Sequence, residues 1–370
     1  MPDRYVYIGT YTTPHIPHGS SEPSQARGIY VFRMHGSTGA LTQIQVVESE
    51  NPSWLTLDAQ GRFLYAVNEV STWNNRTNSG GIGSFAVDPR SGQLTFLNDQ
   101  PTLGADPAHA AVDPSGGWLA VANYTGGNFA LLSLESDGRV GPVSDVFAPT
   151  GSGPNAARQA GPHAHQVSFD VHGTFSLGAD LGLDRLWSWR IDRDAGKFVA
   201  NGVPYVQVAS GSGARHFDFH PDGRFLYVIN ELTNSITAFT YDAAAGTAIW
   251  IQTVSTLPAD FAGTSHTAEI AVHQSGRWLY GTNRGHDSVV IFTIDPETGT
   301  LAEPRWVLSQ GRVPRGFGID PSGTLLLVGN SRSDTVVPFS IDQSSGALTP
   351  TGAVSQTPVP VTFAFGAAVG

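Results

Sequence analysis

Residues 51–68, Asn51-Pro-Ser-Trp-Leu-Thr-Leu-Asp-Ala-Gln-Gly-Arg-Phe-Leu-Tyr-Ala-Val-Asn68, decide the fold, because the same pattern returns along the chain. A short apolar segment enters a turn centred on Gly, a second run of aromatic and β-branched residues follows, and Asn closes the unit. Further copies span 106–123, 163–180, 213–230, 266–283 and 313–330, with turn glycines at Gly61, Gly116, Gly173, Gly223, Gly276 and Gly323. The glycines are 55, 57, 50, 53 and 47 residues apart, longer than a solenoid coil, and a sandwich has no reason to repeat at that interval. Each unit continues through a third strand into a turn such as Asp88-Pro-Arg-Ser-Gly-Gln-Leu94 or Asp295-Pro-Glu-Thr-Gly-Thr-Leu301, where Asp, Pro and Gly supply the hairpin chemistry. Four short antiparallel strands per unit make a propeller blade.

Six units are visible, and the termini supply a seventh. Arg4-Tyr-Val-Tyr-Ile-Gly-Thr10 matches the second strand of a unit, as in Arg62–Asn68, while Thr357-Pro-Val-Pro-Val-Thr-Phe-Ala-Phe365 matches a first strand with no turn after it. Joined, they predict an all-β, seven-bladed β-propeller with four antiparallel strands per blade. Residues 1–370 then form a single domain whose ring is closed by pairing the two terminal strands, which removes the open edges of a linear array.

Composition narrows the function classes. The formal charge of −11 at pH 7 repels nucleic acid and anionic membrane, so neither is an expected partner. The start carries no basic region ahead of a long apolar stretch, and no window offers the ~18 apolar residues of a membrane helix. A soluble, cytoplasmic protein is expected; no oligomeric state is read from the sequence. With no cysteine there is no disulfide, no thiolate nucleophile and no thiolate metal site.

The repeat also locates a site. The first two strands of a unit form a hairpin, so residues just before strand one and just after strand two share one end of the blade, and around a ring they converge on one mouth of the channel. Ten residues before the turn glycines stand Asn51, Asp106, His163, Gly213, His266 and Val313; eight before stand Ser53, Ala108, His165, Arg215, Ala268 and Arg315. Being two residues apart, these columns share one side of a strand. Seven before come Trp54, His109, Gln166, His216, Glu269 and Gly316. After strand two, Asn68, Asn123, Asp180, Asn230, Asn283 and Asn330 recur whatever their neighbours, as expected of side chains bonding local turn backbone. The next column is Glu69, Tyr124, Leu181, Glu231, Arg284 and Ser331. The variable columns are rich in ionisable groups, and His163, His165, Arg215, Glu231, His266, Glu269, Arg284 and Arg315 read as one shared polar site in preference to rim salt bridges.

The chemistry available is that of His, Glu and Arg. The chain has no Gly-x-Ser-x-Gly elbow, phosphate-cradling loop or dinucleotide fingerprint. A His or carboxylate can take a proton from water, and Arg can hold a carboxylate or phosphate or stabilise an oxyanion. Hydrolysis of an activated ester, or proton transfer beside a carboxylate, suits the set. A zinc pair at His163 and His165 competes, but the nearby arginines oppose a dication; no metal and no cofactor are expected.

The segments Gly161-Pro-His-Ala-His-Gln166, Gly213-Ala-Arg-His216, Asn230-Glu-Leu232, Asn283-Arg284 and Pro314-Arg-Gly-Phe317 resemble the seven-bladed lactonase family, which includes bacterial propeller-type 6-phosphogluconolactonase and the fungal carboxy-cis,cis-muconate lactonizing enzyme. The resemblance runs over essentially the whole chain. It implies a metal-independent enzyme acting on a small, anionic lactone: first a hydrolase opening a sugar-acid lactone, alternatively a muconate-type cycloisomerase, with a non-catalytic binding propeller as the reading from outside enzymology. Matched by motif, the family's proposed catalytic set becomes His163 or His165, Arg215, Glu231 and Arg284. The arginines are expected to act on substrate charge while Glu231 and one histidine move protons. His216, His266, Glu269, Arg315 and Glu69 are the candidates for substrate binding. The first loop, His15 to Gln25, and the Trp73-Asn-Asn-Arg76 insertion are expected to shape the pocket.

Overall fold

In the computed structural model, which describes residues 1–13 and 24–369, each sequence unit is one antiparallel four-stranded sheet. Blade I begins at Leu55–Leu57, blade II at Pro107–Val112, blade III at Ala164–Phe169, blade IV at Ala214–Phe219, blade V at His266–Val272 and blade VI at Pro314–Ile319. Blade IV shows why the repeat has its shape. Ala214–Phe219, Phe225–Asn230 and Ser235–Asp242 are largely buried, whereas Thr247–Ser255 has no buried residue. Strands covered on both faces read as continuous apolar runs, and the outermost one does not.

Blade VII joins the termini as expected. Arg4–Thr10 pairs with Gly28–Met34 on one side and with Pro360–Ala368 on the other, in the register Val6 to Phe365, Ile8 to Phe363 and Thr10 to Pro360. Leu41–Glu48 completes the sheet on the outside, and Pro360–Ala368 lies innermost. In blade VI the fourth strand is broken into Leu348–Pro350 and Ser355–Gln356, both on Thr335–Ile341.

The apolar core is divided among the blade interfaces. Among the described residues, seven clusters of buried side chains each join two neighbouring blades, from Tyr65, Val67 and Leu119 between I and II to Val6, Ile8 and Leu327 between VI and VII. One contact recurs at these interfaces. Gly92, Gly138, Gly196, Gly246, Gly299 and Gly346, each in an outer hairpin, lie on Tyr5, Phe63, Trp118, Phe175, Phe225 and Trp278 of the preceding blade, and Gly39 lies on Pro338. Several of these glycines also accept a hydrogen bond at their carbonyls, from Tyr7 at Gly92 (3.0 Å), Tyr227 at Gly299 (3.1 Å) and Tyr280 at Gly346 (2.9 Å). The Asn/Asp column is built into the same frame. Asn68, Asn283 and Asn330 donate to the carbonyls of Glu50, Thr256 and Ser309, on the segments leading into neighbouring strands.

The recurring glycine contact yields a matched test. A Cβ on Gly299 (φ +70°) would stand 2.3 Å from the Phe225 ring, while one on Gly61 (φ +66°) would meet nothing within 4 Å. Both substitutions incur the left-handed backbone cost of ~1 kcal/mol. Gly299→Ala adds an overpacking cost of ~1–3 kcal/mol. Urea unfolding should therefore show Gly299→Ala losing about 1–3 kcal/mol more than Gly61→Ala; equal losses would show that the glycine contact is dispensable.

Candidate active site

Residues that enter first strands and leave second strands converge, as the hairpin topology requires, on one mouth. There Glu69, Tyr124, Glu231 and Arg284 of the exit column, but not Leu181 or Ser331, border a cavity of about 360 Å³, a size suited to a small polar ligand. Blade I contributes Glu69, blade II Ala108 and Tyr124, blade III His165, blade IV Glu231, blade V His266 and Arg284, and blade VI Arg315. Arg158 enters from the loop before blade III. Hydrogen bonds hold that loop in place: Gln159 is fully buried and donates to the Leu181 carbonyl (2.9 Å) and to Asp184 (2.8 Å).

Glu231 is the electrostatic centre. Its Oε2 takes ion pairs from Arg215 Nε (3.0 Å) and Arg284 Nη2 (2.9 Å), and its Oε1 takes one from Arg158 Nη2 at 2.5 Å. Burial alone would raise its pKa, but Arg284, Arg215 and Arg158 together hold the carboxyl well below the usual range. Arg215 lies behind the wall and is steadied by the Ala268 carbonyl, while Arg284 donates to that of Thr267 (2.6 Å). A carboxylate engaged in this way acts as an anchor for cations and is a poor proton acceptor. The expectation that Glu231 moves protons meets this physical obstacle.

Across the cavity, Tyr11 donates to Glu69 Oε2 (2.7 Å) and accepts a hydrogen bond from Arg315 Nη2. These three side chains come from blades VII, I and VI, so this side of the mouth spans the closure of the ring. Burial raises the Tyr11 pKa, keeping the phenol neutral. Sequence reasoning passed over Tyr11, although it follows Thr10 as Glu69 follows Asn68, so the register already used for the seventh blade pointed to it. Arg158 left no comparable signal, since its loop has no counterpart in the repeat.

Of the two alternative histidines, His165 lines the cavity and His163 does not. His163 stacks on Tyr124 (ring centroids 4.7 Å apart) with Nδ1 3.1 Å from the Tyr124 carbonyl, and His165 meets the same ring edge-on at 5.4 Å. Among the described residues no three His, Asp or Glu side chains are arranged as a metal cage. Burial, Arg215 and His216 push the His165 pKa well down, so its imidazole is neutral near pH 7. His216 and Glu269, expected among the substrate-binding groups, do not line the cavity. They form a buried pair, His216 Nδ1 to Glu269 Oε1 at 2.9 Å, with the His216 ring 5.0 Å from that of His165. Residues Trp73 to Arg76 do not line it either: Trp73 covers Gly81 and donates to Asp99 (3.0 Å), so the insertion folds against its own blade. The first loop, His15 to Gln25, falls outside the described residues except for Ser24 and Gln25.

The model of a family described as "Lactonase, 7-bladed beta-propeller" matches residues 5–365. A Bacillus subtilis protein named 6-phosphogluconolactonase is 34% identical over 365 residues, covering 98% of both chains. One of the same name from Formosa agariphila is 31% identical, over 93% of this chain and 94% of its own. A periplasmic gluconolactonase from Pseudomonas aeruginosa superposes with a TM-score of 0.88 at 30% identity, over 99% of each chain.

The buried pair makes stability depend on pH. Burial raises the Glu269 pKa to about 7, against the opposing influence of Arg215. The folded state therefore holds this proton more tightly than the unfolded one, and the resulting stability is present below about pH 4.5 and lost as pH rises through 7. Glu269→Gln removes that loss. In urea titrations it should gain ~3 kcal/mol on wild type between pH 4.5 and pH 8. A pH-invariant difference between the two proteins would mean the carboxyl is ionised throughout.

Proposed function

Because the chain belongs to the seven-bladed β-propeller lactonase family, we propose that it opens the ring of a sugar-acid lactone by adding water, with His165 as general base and the arginine cluster binding the developing oxyanion. The observation that carries this reading is a neutral imidazole in the wall of a cavity whose other groups include Arg158, Arg284 and Arg315.

Each residue then has a task set by its surroundings. His165, neutral near pH 7, takes a proton from water as it attacks the lactone carbonyl. Arg284 and Arg158 line the cavity on Glu231, which fixes their planar forks so that their positive charge faces the developing oxyanion. Arg315, whose hydrogen bond goes to the neutral Tyr11, offers its charge to a substrate anion such as a phosphate or carboxylate. The relatives differ in whether their names carry a phosphate, so both glucono-lactone and its 6-phosphate are test substrates.

Acid release followed with a pH indicator over a panel of sugar lactones and muconolactones should show turnover of a sugar-acid lactone. Prolonged chelation should leave the rate unchanged; loss restored by one divalent ion would give histidines a ligand role. His165→Asn should lower kcat ~10²–10⁴-fold with KM little changed. Glu231→Gln frees three arginines from their anchor, so kcat and KM should worsen together, whereas a pure base would lose kcat alone. Full turnover by His165→Asn would place the base elsewhere.

A further inference from the structure

Behind His165 lies a group of polar side chains that the hydrolysis just described leaves without a task. His216 shares a hydrogen bond with Glu269, yet its Nε2 is buried with no partner among the described residues; so are Nδ1 of His165 and both ring nitrogens of His109. His109 stacks on Trp54 (3.9 Å), and its ring lies 5.6 Å from that of His216, which is itself 5.0 Å from that of His165. Buried imidazole nitrogens are ordinarily hydrogen-bonded, and an unpaired one costs ~1–3 kcal/mol. Two of them belong to the chain of contacts from Glu269 through His216 to His165, which ends in the cavity wall, and that succession suits a proton path.

We propose that Glu269 and His216 form a proton relay that sets the tautomer of His165, so that His165 acts first as base and then as acid without becoming an imidazolium. The proposal rests on His165 being the base of the lactonase reading. With Glu269 ionised, it accepts Nδ1–H of His216; Nε2 of His216 then accepts, through one bridging water, the Nδ1 proton of His165. That leaves His165 Nε2 as the acceptor facing the cavity. When water attacks the carbonyl carbon, its proton goes to His165 Nε2, the Nδ1 proton passes to His216 Nε2, and the His216 Nδ1 proton passes to Glu269. The oxyanion collapses, the ring C–O bond breaks with its electron pair on the ring oxygen, and that oxygen takes the proton from His165 Nε2 as the relay runs back. The net change is lactone plus water to hydroxy acid, and the product carboxyl ionises into solvent.

Charge explains why a relay is favoured over a protonated His165. The groups facing the pair are Arg215 on its own strand, Arg315 from blade VI, Arg284 from blade V, Glu231, and His109 and His165 from blades II and III; Asp218 lies nearby. Burial and the cations Arg215 and Arg315 push the His216 pKa well down, so a positive ring there is disfavoured, whereas Glu269, raised to about 7, can gain or lose a proton near neutral pH. Storing the proton on Glu269 adds no cation beside the arginines.

Glu269→Gln preserves shape and cannot ionise, and it does not border the cavity. In wild type, kcat/KM should rise roughly tenfold per pH unit below about 7 and then level; in Glu269→Gln it should be flat across that range and ~10–100-fold lower, with KM unchanged. In ¹⁵N-histidine spectra, His165 should change from Nε2–H to Nδ1–H as pH rises through about 7 in wild type, and hold one tautomer in Glu269→Gln. His216→Gln, which breaks the relay at a second point, should behave as Glu269→Gln does. A folded Glu269→Gln with the wild-type pH profile, or a His165 tautomer that never changes in wild type, overturns the relay. If His165→Asn is inactive in that case, the lactonase reading stands without the relay. If His165→Asn is fully active, the relay falls and the base of the lactonase lies elsewhere, whereas absence of acid release from every lactone in the panel overturns the lactonase reading itself.

Discussion

The close approach of an outer-hairpin glycine to the side chain one blade back is the contact on which the rest of this structure depends. A propeller has no central core: each sheet buries its faces only against the blades beside it, and here seven separate apolar clusters occupy those interfaces. Six of the hairpin glycines meet an aromatic ring and the seventh meets Pro338, so the spacing between blades is set the same way around the ring. Repeated identically, such spacing leaves the last blade in reach of the first. Pro360–Ala368 then completes the sheet begun at Arg4–Thr10, so the closing blade has its innermost strand paired like the others.

Ring closure and site assembly are one event. Tyr11 leaves the strand that closes the ring, and its hydroxyl links Glu69 of blade I to Arg315 of blade VI. Opposite, Glu231 gathers arginines from its own blade, from blade V and from the loop before blade III. Cations confined this closely are tolerated because one buried carboxylate engages all three; an isolated member would carry a desolvation cost with nothing to offset it. The same field keeps the histidines neutral. A site that suppresses imidazolium while holding many cations favours reactions in which negative charge develops on oxygen, and ester opening is one of these.

The repeat was legible because its cause is local. An Asn51–Asn68 type unit states its own strand–turn–strand geometry, and six copies with compatible ends require a ring of seven blades whatever their detailed packing. The columns placed His165, Glu231, Arg284, Arg315, His266 and Glu69 at one mouth, where they border a single cavity. Tyr11 was within reach of the same logic. Arg158 was not, because its loop belongs to no column, and a hydrogen-bond network through Gln159 is what brings it to Glu231.

The sequence by itself determined the number of blades, the pairing of the termini and the end of each blade that bears the ionisable residues, since strand periodicity and turn chemistry act over a few residues. Only the tertiary structure decided which of those residues share a cavity and which lie behind it. His163 and His165 are two residues apart, yet the strand begins only at Ala164 and its ladder is irregular between Ala164 and Gln166. One histidine therefore stacks on the Tyr124 ring of the preceding blade outside the cavity, and the other stands in the wall. His216 and Glu269, one position further along their strands than the adjacent Arg215 and Ala268, meet as a buried pair. Distances between side chains of different blades depend on how neighbouring sheets pack, and no spacing within one strand encodes them.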